Sequence, residues 1–80
     1  MKLPRDLSGQ ELVKVLCRRW GYRFDHQRGR HIVLETLASP HKSLTVPAHN
    51  SVRVGTLNAI LREVACQRGV LKEDVAASLE

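Results

Sequence analysis

Acidic residues are absent from a long central part of this sequence. Between Glu35 and Glu63 there is no Asp or Glu, whereas three basic residues fall in that interval. Residues 14–30 contain six basic residues and one acid, and the whole chain has 13 Lys and Arg against 8 Asp and Glu, giving a formal net charge of +5. Although a basic balance also occurs without any ligand, this distribution favours an anionic partner, most simply a nucleic acid.

Cysteines are few, and the histidines are scattered. Cys17 and Cys66 are far apart and match no metal-binding or redox spacing, and both fall in helix-like segments, where a reduced and partly buried thiol is usual. No histidine has another histidine two, three or four residues away. We therefore expect no metal site and no cofactor at the four histidines, which are His26, His31, His41 and His49.

Long apolar runs are also missing. No stretch approaches the roughly 18 apolar residues of a membrane-spanning helix, and the start "MKLPRDL" lacks the apolar run of a signal peptide. We expect a cytoplasmic protein without a membrane partner. No GxxxxGK phosphate loop and no serine on a glycine-flanked elbow occur. The 80 residues predict one domain, 1–80, with a thin core that buries little more than about 60% of the unfolded chain's surface.

Two amphipathic helices bracket the chain. "SGQELVKVLCRRWG" predicts a first helix, with Ser8 and Glu11 forming a capping box and Gly21 ending it. A second helix is predicted to be capped by Thr56 and to end at Gly69, and "KEDVAASL" predicts a short third helix. The apolar stripe of the second helix recurs at helical spacing and consists of Leu57, Ile60, Leu61, Val64 and Ala65.

Three alternating segments between these helices predict strands: "YRFDHQ", "HIVLETL" and "SLTVPAH". Pro47 cannot donate to a sheet ladder, so the third strand ends there or lies at an edge. The fold class is therefore α+β with the order α-β-β-β-α. A three-stranded antiparallel sheet with both main helices on one face is the simplest packing.

The turn between the first two strands determines which side chains share a face. A three-residue loop of Arg28, Gly29 and Arg30 pairs Arg23 with Glu35 and Phe24 with Leu34. A two-residue loop of Arg28 and Gly29 splits the apolar residues between the faces, so we prefer the longer loop. It places Phe24, His26, Ile32 and Leu34 on the core face. It leaves the other face open, with Arg23, Asp25, Gln27, His31, Val33, Glu35, Ser43 and Thr45.

His31 is the residue best suited to proton transfer, because an unperturbed histidine titrates near pH 6.5. RNA carries its own nucleophile, the 2′-hydroxyl, so a ribonuclease needs proton transfer and charge stabilisation without a metal. Arg28 and Arg30 can neutralise phosphate, and the backbone at Gly29 allows close approach. From residue types alone, however, an exposed histidine at a hairpin end is more often ordinary polar surface. Arg53, next to the start of the second helix, is either a phosphate contact or a solvated charge.

The stretch "SGQELVKVLCRRWGYRFDHQRGRHIVLE" followed by "LTVPAHNSVRVGTLNAILREV" resembles the HicA-type, or YcfA-like, toxins of bacterial toxin–antitoxin systems. The resemblance extends from about Leu3 to Leu79. It rests on the order and spacing of Gly-x-His after the first strand, "VPAH" at the end of the third, and "GTLNAIL" in the second helix.

The resemblance implies a fold like a double-stranded-RNA-binding domain and a type II toxin that acts in stress responses. It implies an endoribonuclease that cleaves mRNA, needs no metal, and is inhibited by a HicB-type antitoxin. It further implies that His31 of the Gly-x-His motif is catalytic. His49 matches the histidine of the "P-x-H" element, for which we infer a binding or structural role. Together with it, the expected RNA-binding residues are Arg28, Gly29, Arg30 and Arg53.

Arg30 departs from the family pattern, which most often has serine between the glycine and the histidine. It either binds phosphate in the place of serine or alters substrate contact. Two other hypotheses therefore stand beside the ribonuclease: a non-catalytic RNA-binding module of the same fold, and a partner-binding subunit without RNA affinity. Operator DNA is expected as a ligand only of the complex with the antitoxin.

Overall fold

The computed structural model describes residues 6–79, which form an α+β fold with one antiparallel sheet in the strand order β1-β2-β3. The predicted α-β-β-β-α order is confirmed, it matches the layout of a double-stranded-RNA-binding domain, and a short third helix follows it. The elements are α1 (Gly9–Arg19), β1 (Tyr22–Arg28), β2 (His31–Thr36), β3 (Ser43–Pro47), α2 (Val54–Arg68) and α3 (Lys72–Ala77).

Burial alternates along β2 and β3, as a sheet covered on one face requires. Ile32 and Leu34 are buried, whereas His31 is exposed. Helix α1 packs against β1 and β3, and α2 packs against β3 and α3. Both main helices therefore cover one face of the sheet, and we call the uncovered face the open face. The centre of the core comprises Leu12, Leu16, Leu34, Val46, Leu57, Leu61, Val64 and Val75.

Helix α1 begins with the predicted capping box. The Ser8 hydroxyl accepts a hydrogen bond from the Glu11 N–H at 3.0 Å, and the Glu11 carboxylate accepts one from the Ser8 N–H at 3.1 Å. The second of these bonds, made to the backbone of Ser8, is the main reason why the pKa of Glu11 is lowered from its usual value. The helix ends before Gly21, as predicted.

Helix α2 begins three residues earlier than predicted. Arg53, not Thr56, occupies the N-cap position, with an extended backbone and no side-chain capping bond. The first turn is closed by the backbone alone, since the Leu57 N–H donates to the Arg53 carbonyl at 2.8 Å. Thr56 therefore lies inside the first turn. The helix ends before Gly69, as predicted.

Candidate functional site

The β1–β2 hairpin departs from the predicted register near its tip. Arg23 lies opposite Glu35 and Phe24 opposite Leu34, as predicted, but Asp25 forms a β-bulge. An extra residue in one strand advances its pairing by one position. Arg28 consequently joins the ladder, and the connection shortens to two residues, Gly29 and Arg30. The three-residue loop was therefore wrong. Gly29, with φ of 57°, provides the positive angle needed at the first position of such a turn.

The bulge also changes which side chains occupy the open face. His26 is paired with Val33 and Arg28 with His31, so both join the face that carries His31. His26 was predicted to face the core, and it is exposed instead. Gln27, predicted on the open face, lies opposite Ile32 on the helix side.

Phe24 was also predicted in the core, but it is 57% exposed. It lies opposite Leu34 and therefore on the helix side of the sheet. The helices bury Tyr22 at the start of β1 and no later residue of that edge strand. The predicted pairing of Phe24 was therefore right. Its side chain is exposed because the helices do not cover this part of the edge strand.

His31 occupies the middle strand at the tip of the sheet. Its neighbours across the ladders are Arg28 on β1 and Pro47 on β3. The ring is exposed, and within residues 6–79 it makes no side-chain hydrogen bond or ion pair. A proton-transfer group in this position is accessible to a ligand and stands next to a guanidinium.

A cleft of about 390 Å³ opens beside the hairpin tip. Arg30, His49 and Arg53, all expected to contact RNA, lie around it together and are exposed. Among residues 6–79, the lining contains two guanidinium groups and no carboxylate. Asp6 lies outside the lining and accepts a hydrogen bond from Ser51 at 3.4 Å. We call this the tip cleft. Its lining consists of Arg30, Pro47, His49, Asn50, Ser51, Arg53 and Thr56.

The start of α2 adds backbone donors to the tip cleft. Arg53 is the N-cap, and Thr56 lies in the first turn, where the leading N–H groups of a helix have no intrahelical acceptor. A helix N-terminus beside two guanidinium groups favours an anion such as a phosphate.

Pro47 joins the two parts of the site. It lies opposite His31 in the ladder, and it also lines the tip cleft. The next residue, Ala48, donates its N–H to the Arg30 carbonyl at 2.7 Å, which holds the hairpin tip against the chain leaving β3. The structure therefore places Arg28 and His31 on the open face, and Arg30, His49 and Arg53 at its rim. Gly29 lies between them at the turn.

The described part of the chain shows no group of three His, Cys, Asp or Glu side chains arranged to hold a metal ion. Cys17 and Cys66 are free thiols, and burial raises the pKa of Cys17. Within residues 6–79, no helix is both long enough and apolar enough to cross a membrane.

A family model described as the HicA toxin of bacterial toxin–antitoxin systems matches residues 9–65, which include the hairpin and the tip cleft. The chain belongs to the HicA toxin family. Membership makes the chain a toxin of a toxin–antitoxin system and implies an antitoxin partner. Comparisons with curated proteins and with solved structures find no match.

Four residues that line the tip cleft are not among the RNA-binding residues expected from the sequence of this HicA family member. Pro47 was interpreted as the end of the third strand and Thr56 as a helix cap, and Asn50 and Ser51 follow β3. The stretch "HNS" contains three polar residues in a row, which is a usable but weak signal of a binding loop. The position of His26 depends on the bulge at Asp25, for which the apolar pattern of β1 gives no indication.

Proposed function

We propose that the chain is a metal-independent endoribonuclease that cleaves mRNA, that His31 is its catalytic residue, and that residues 1–80 form a single toxin domain. The observation that carries this proposal is the position of His31. The ring is exposed on the open face opposite Arg28. Its ladder partner on the other side, Pro47, lines the cationic tip cleft. Substrate bound in the cleft can thus extend across a titratable side chain.

The chemistry needs three contributions. The 2′-hydroxyl loses its proton as it attacks the adjacent phosphorus, the 5′-oxygen gains a proton as it leaves, and the phosphorane carries extra negative charge. His31 transfers one of these protons. Arg28 is placed to stabilise the phosphorane charge, and the open space around Gly29 lets the RNA backbone approach the turn.

The tip cleft is suited to a neighbouring phosphate of the same strand. Arg30 and Arg53 provide guanidinium groups, His49 provides a ring for hydrogen bonding, and the first turn of α2 provides N–H donors. Contacts of this kind position a strand without reading its sequence.

The antitoxin is proposed to be of the HicB type and to inhibit by covering the open face, including His31. No other described element packs over this face, so it is available to a protein partner. Operator DNA is proposed to bind only through the complex of toxin and antitoxin.

Replacing His31 with Ala tests the catalytic proposal. The exposed ring makes no side-chain hydrogen bond within residues 6–79, so the fold should persist while RNA cleavage falls by about 10²–10⁴-fold. Cleavage of a labelled mRNA is measured in EDTA, where the wild type should remain active. In cells, the wild type should arrest growth unless a HicB-type protein is co-expressed, and the variant should not.

His41→Ala is the matched control, because His41 is an exposed histidine in the β2–β3 loop, and its ring lies 2.8 Å from the Thr36 carbonyl. It should cleave like the wild type. Near-full cleavage by the His31 variant would refute the assignment, and loss of wild-type cleavage in EDTA would refute metal independence.

A non-catalytic RNA-binding module is the second candidate. Arg30, in the position where serine is more usual in the family, lines the tip cleft and adds a cation to it. This candidate predicts that the wild type binds labelled RNA and returns it uncut, so the same cleavage assay separates the two functions.

A further inference from the structure

His26 lies on the open face close to His31. Its ladder partner is Val33. His31 precedes Val33 by two residues in β2 and lies opposite Arg28. The two histidines are therefore diagonal neighbours across the hairpin, a relation in which Cα atoms are about 7–8 Å apart and long side chains can meet a common ligand. His26 is also exposed, with about half of its side chain accessible.

Asp25 holds the His26 ring. The Nδ1–H of His26 donates to the Asp25 carboxylate at 2.9 Å. Consecutive residues of a regular strand point to opposite faces, so this contact depends on the bulge, where both residues oppose Val33. With Nδ1 engaged, Nε2 is the ring nitrogen left free for a substrate. An acidic residue that fixes one nitrogen while the other transfers a proton is a recurring catalytic arrangement.

We propose that His26, positioned by Asp25, is the second proton-transfer group of the reaction, an inference that rests on the proposed function. One of the two histidines accepts the proton of the 2′-hydroxyl as the 2′-oxygen bonds to phosphorus. The other donates a proton to the 5′-oxygen as its bond to phosphorus breaks. The products are a 2′,3′-cyclic phosphate and a 5′-hydroxyl, and no further reactant is needed.

The charged surroundings of His26 suit this role. Asp25 and Arg28 flank it on β1, and His31 and Glu35 lie diagonally across on β2. Glu35 is engaged by Arg23, whose Nε–H donates to it at 3.1 Å. Arg28 therefore stands beside both histidines, where it can neutralise the phosphate that they share.

The first test compares His26→Ala, His31→Ala and His41→Ala for cleavage of a short RNA. Thermal unfolding of each variant checks that the fold is kept. The cleavage rates of His26→Ala and His31→Ala should each fall by about 10²–10⁴-fold, and the rate of His41→Ala should not fall.

The bell-shaped pH dependence of kcat/KM should lose one limb in each of the His26 and His31 variants. Wild-type activity of His26→Ala overturns the inference, and if His31→Ala is inactive in the same assay the proposed function stands. Wild-type activity of His31→Ala would instead refute the proposed function.

The second test uses an RNA whose 5′-bridging oxygen is replaced by sulfur, because a thiolate leaves without being protonated. This substrate should restore cleavage to the variant that lacks the acid and not to the variant that lacks the base. Rescue of one histidine variant alone supports the pair and assigns the two roles. Rescue of both or of neither overturns it.

Asp25→Asn tests the positioning role. We expect kcat to fall while KM stays near the wild-type value, since the carboxylate orients the ring and does not bind RNA. The double variant Asp25→Asn/His26→Ala should be no slower than His26→Ala, because the two residues act as one unit. Additive losses would show that Asp25 acts independently of His26 and would overturn its assignment.

Discussion

At the scale of single residues, Gly9 fixes how closely α1 approaches the end of β3. A Cβ atom added to Gly9 would lie 1.9 Å from the Pro47 carbonyl oxygen. The Gly9 N–H also donates to the His49 carbonyl at 2.9 Å. This contact holds the chain after β3, and with it one wall of the tip cleft, against the start of the first helix.

Gly9→Ala should destabilise the protein by about 1–3 kcal/mol, because the clash is with backbone atoms that cannot rotate away. Gly55→Ala is the matched control, since a Cβ there meets no atom of the described residues within 4 Å. It should stabilise by up to about 1 kcal/mol through helix propensity. Thermal or urea unfolding measures both, and equal effects at the two positions would contradict the steric account.

At the scale of elements, α2 is tied to both edge strands of the sheet by one side chain. The Tyr22 hydroxyl on β1 donates to Gln67 at 2.7 Å, and the Gln67 amide donates to the Ser43 carbonyl of β3 at 2.8 Å. Burial raises the pKa of Tyr22 to about 12. The packing of the helix on the sheet is thus coupled to the ionisation of this phenol.

The sign of the resulting pH dependence follows from the raised pKa. The folded state holds the Tyr22 proton more tightly than the unfolded state, whose tyrosine titrates near 10, so this stabilisation is complete below about pH 10 and is lost as pH rises through about 12. Urea unfolding between pH 9 and 12 should show a falling free energy of unfolding. Tyr22→Phe should flatten this fall, and an unchanged pH slope in that variant would contradict the assignment.

At the scale of the whole molecule, the chain carries a net charge of +5, and three of its arginines lie around the tip of the sheet. Arg28 stands on the open face, and Arg30 and Arg53 line the adjoining cleft. RNA affinity should therefore depend strongly on salt, because neutralised phosphates release counterions.

Arg53→Ala, made in the non-cleaving His31→Ala background, should weaken RNA binding and lower the slope of log affinity against log salt by about 1. Arg62→Ala removes the same charge from an exposed site on α2 outside the cleft and is the control. Fluorescence anisotropy over a salt series measures both variants. Equal slopes for the two would mean that the tip cleft is not where phosphate binds.

The helices, the apolar core of α2 and the strand order were predictable because they depend on local periodicity. The capping box at Ser8 and Glu11 followed from residue types three positions apart. The facing pair Arg23 and Glu35 was predicted correctly because the bulge at Asp25 offsets the shorter loop. The family followed from motifs whose spacing the chain preserves. His31 could be placed on the open face for the same reason, because Ile32 and Leu34 require the core.

Other features depend on the packing of the whole chain, and periodicity could not predict them. The bulge at Asp25 shifts the pairing by one position, and no feature of the apolar pattern indicates it. The faces of His26, Gln27 and Arg28 therefore could not be predicted from alternation. The exposure of Phe24 depends on how far the helices extend over an edge strand. The tip cleft assembles Arg30 and Arg53 from segments more than 20 residues apart, and such proximity is a consequence of packing that no local pattern records.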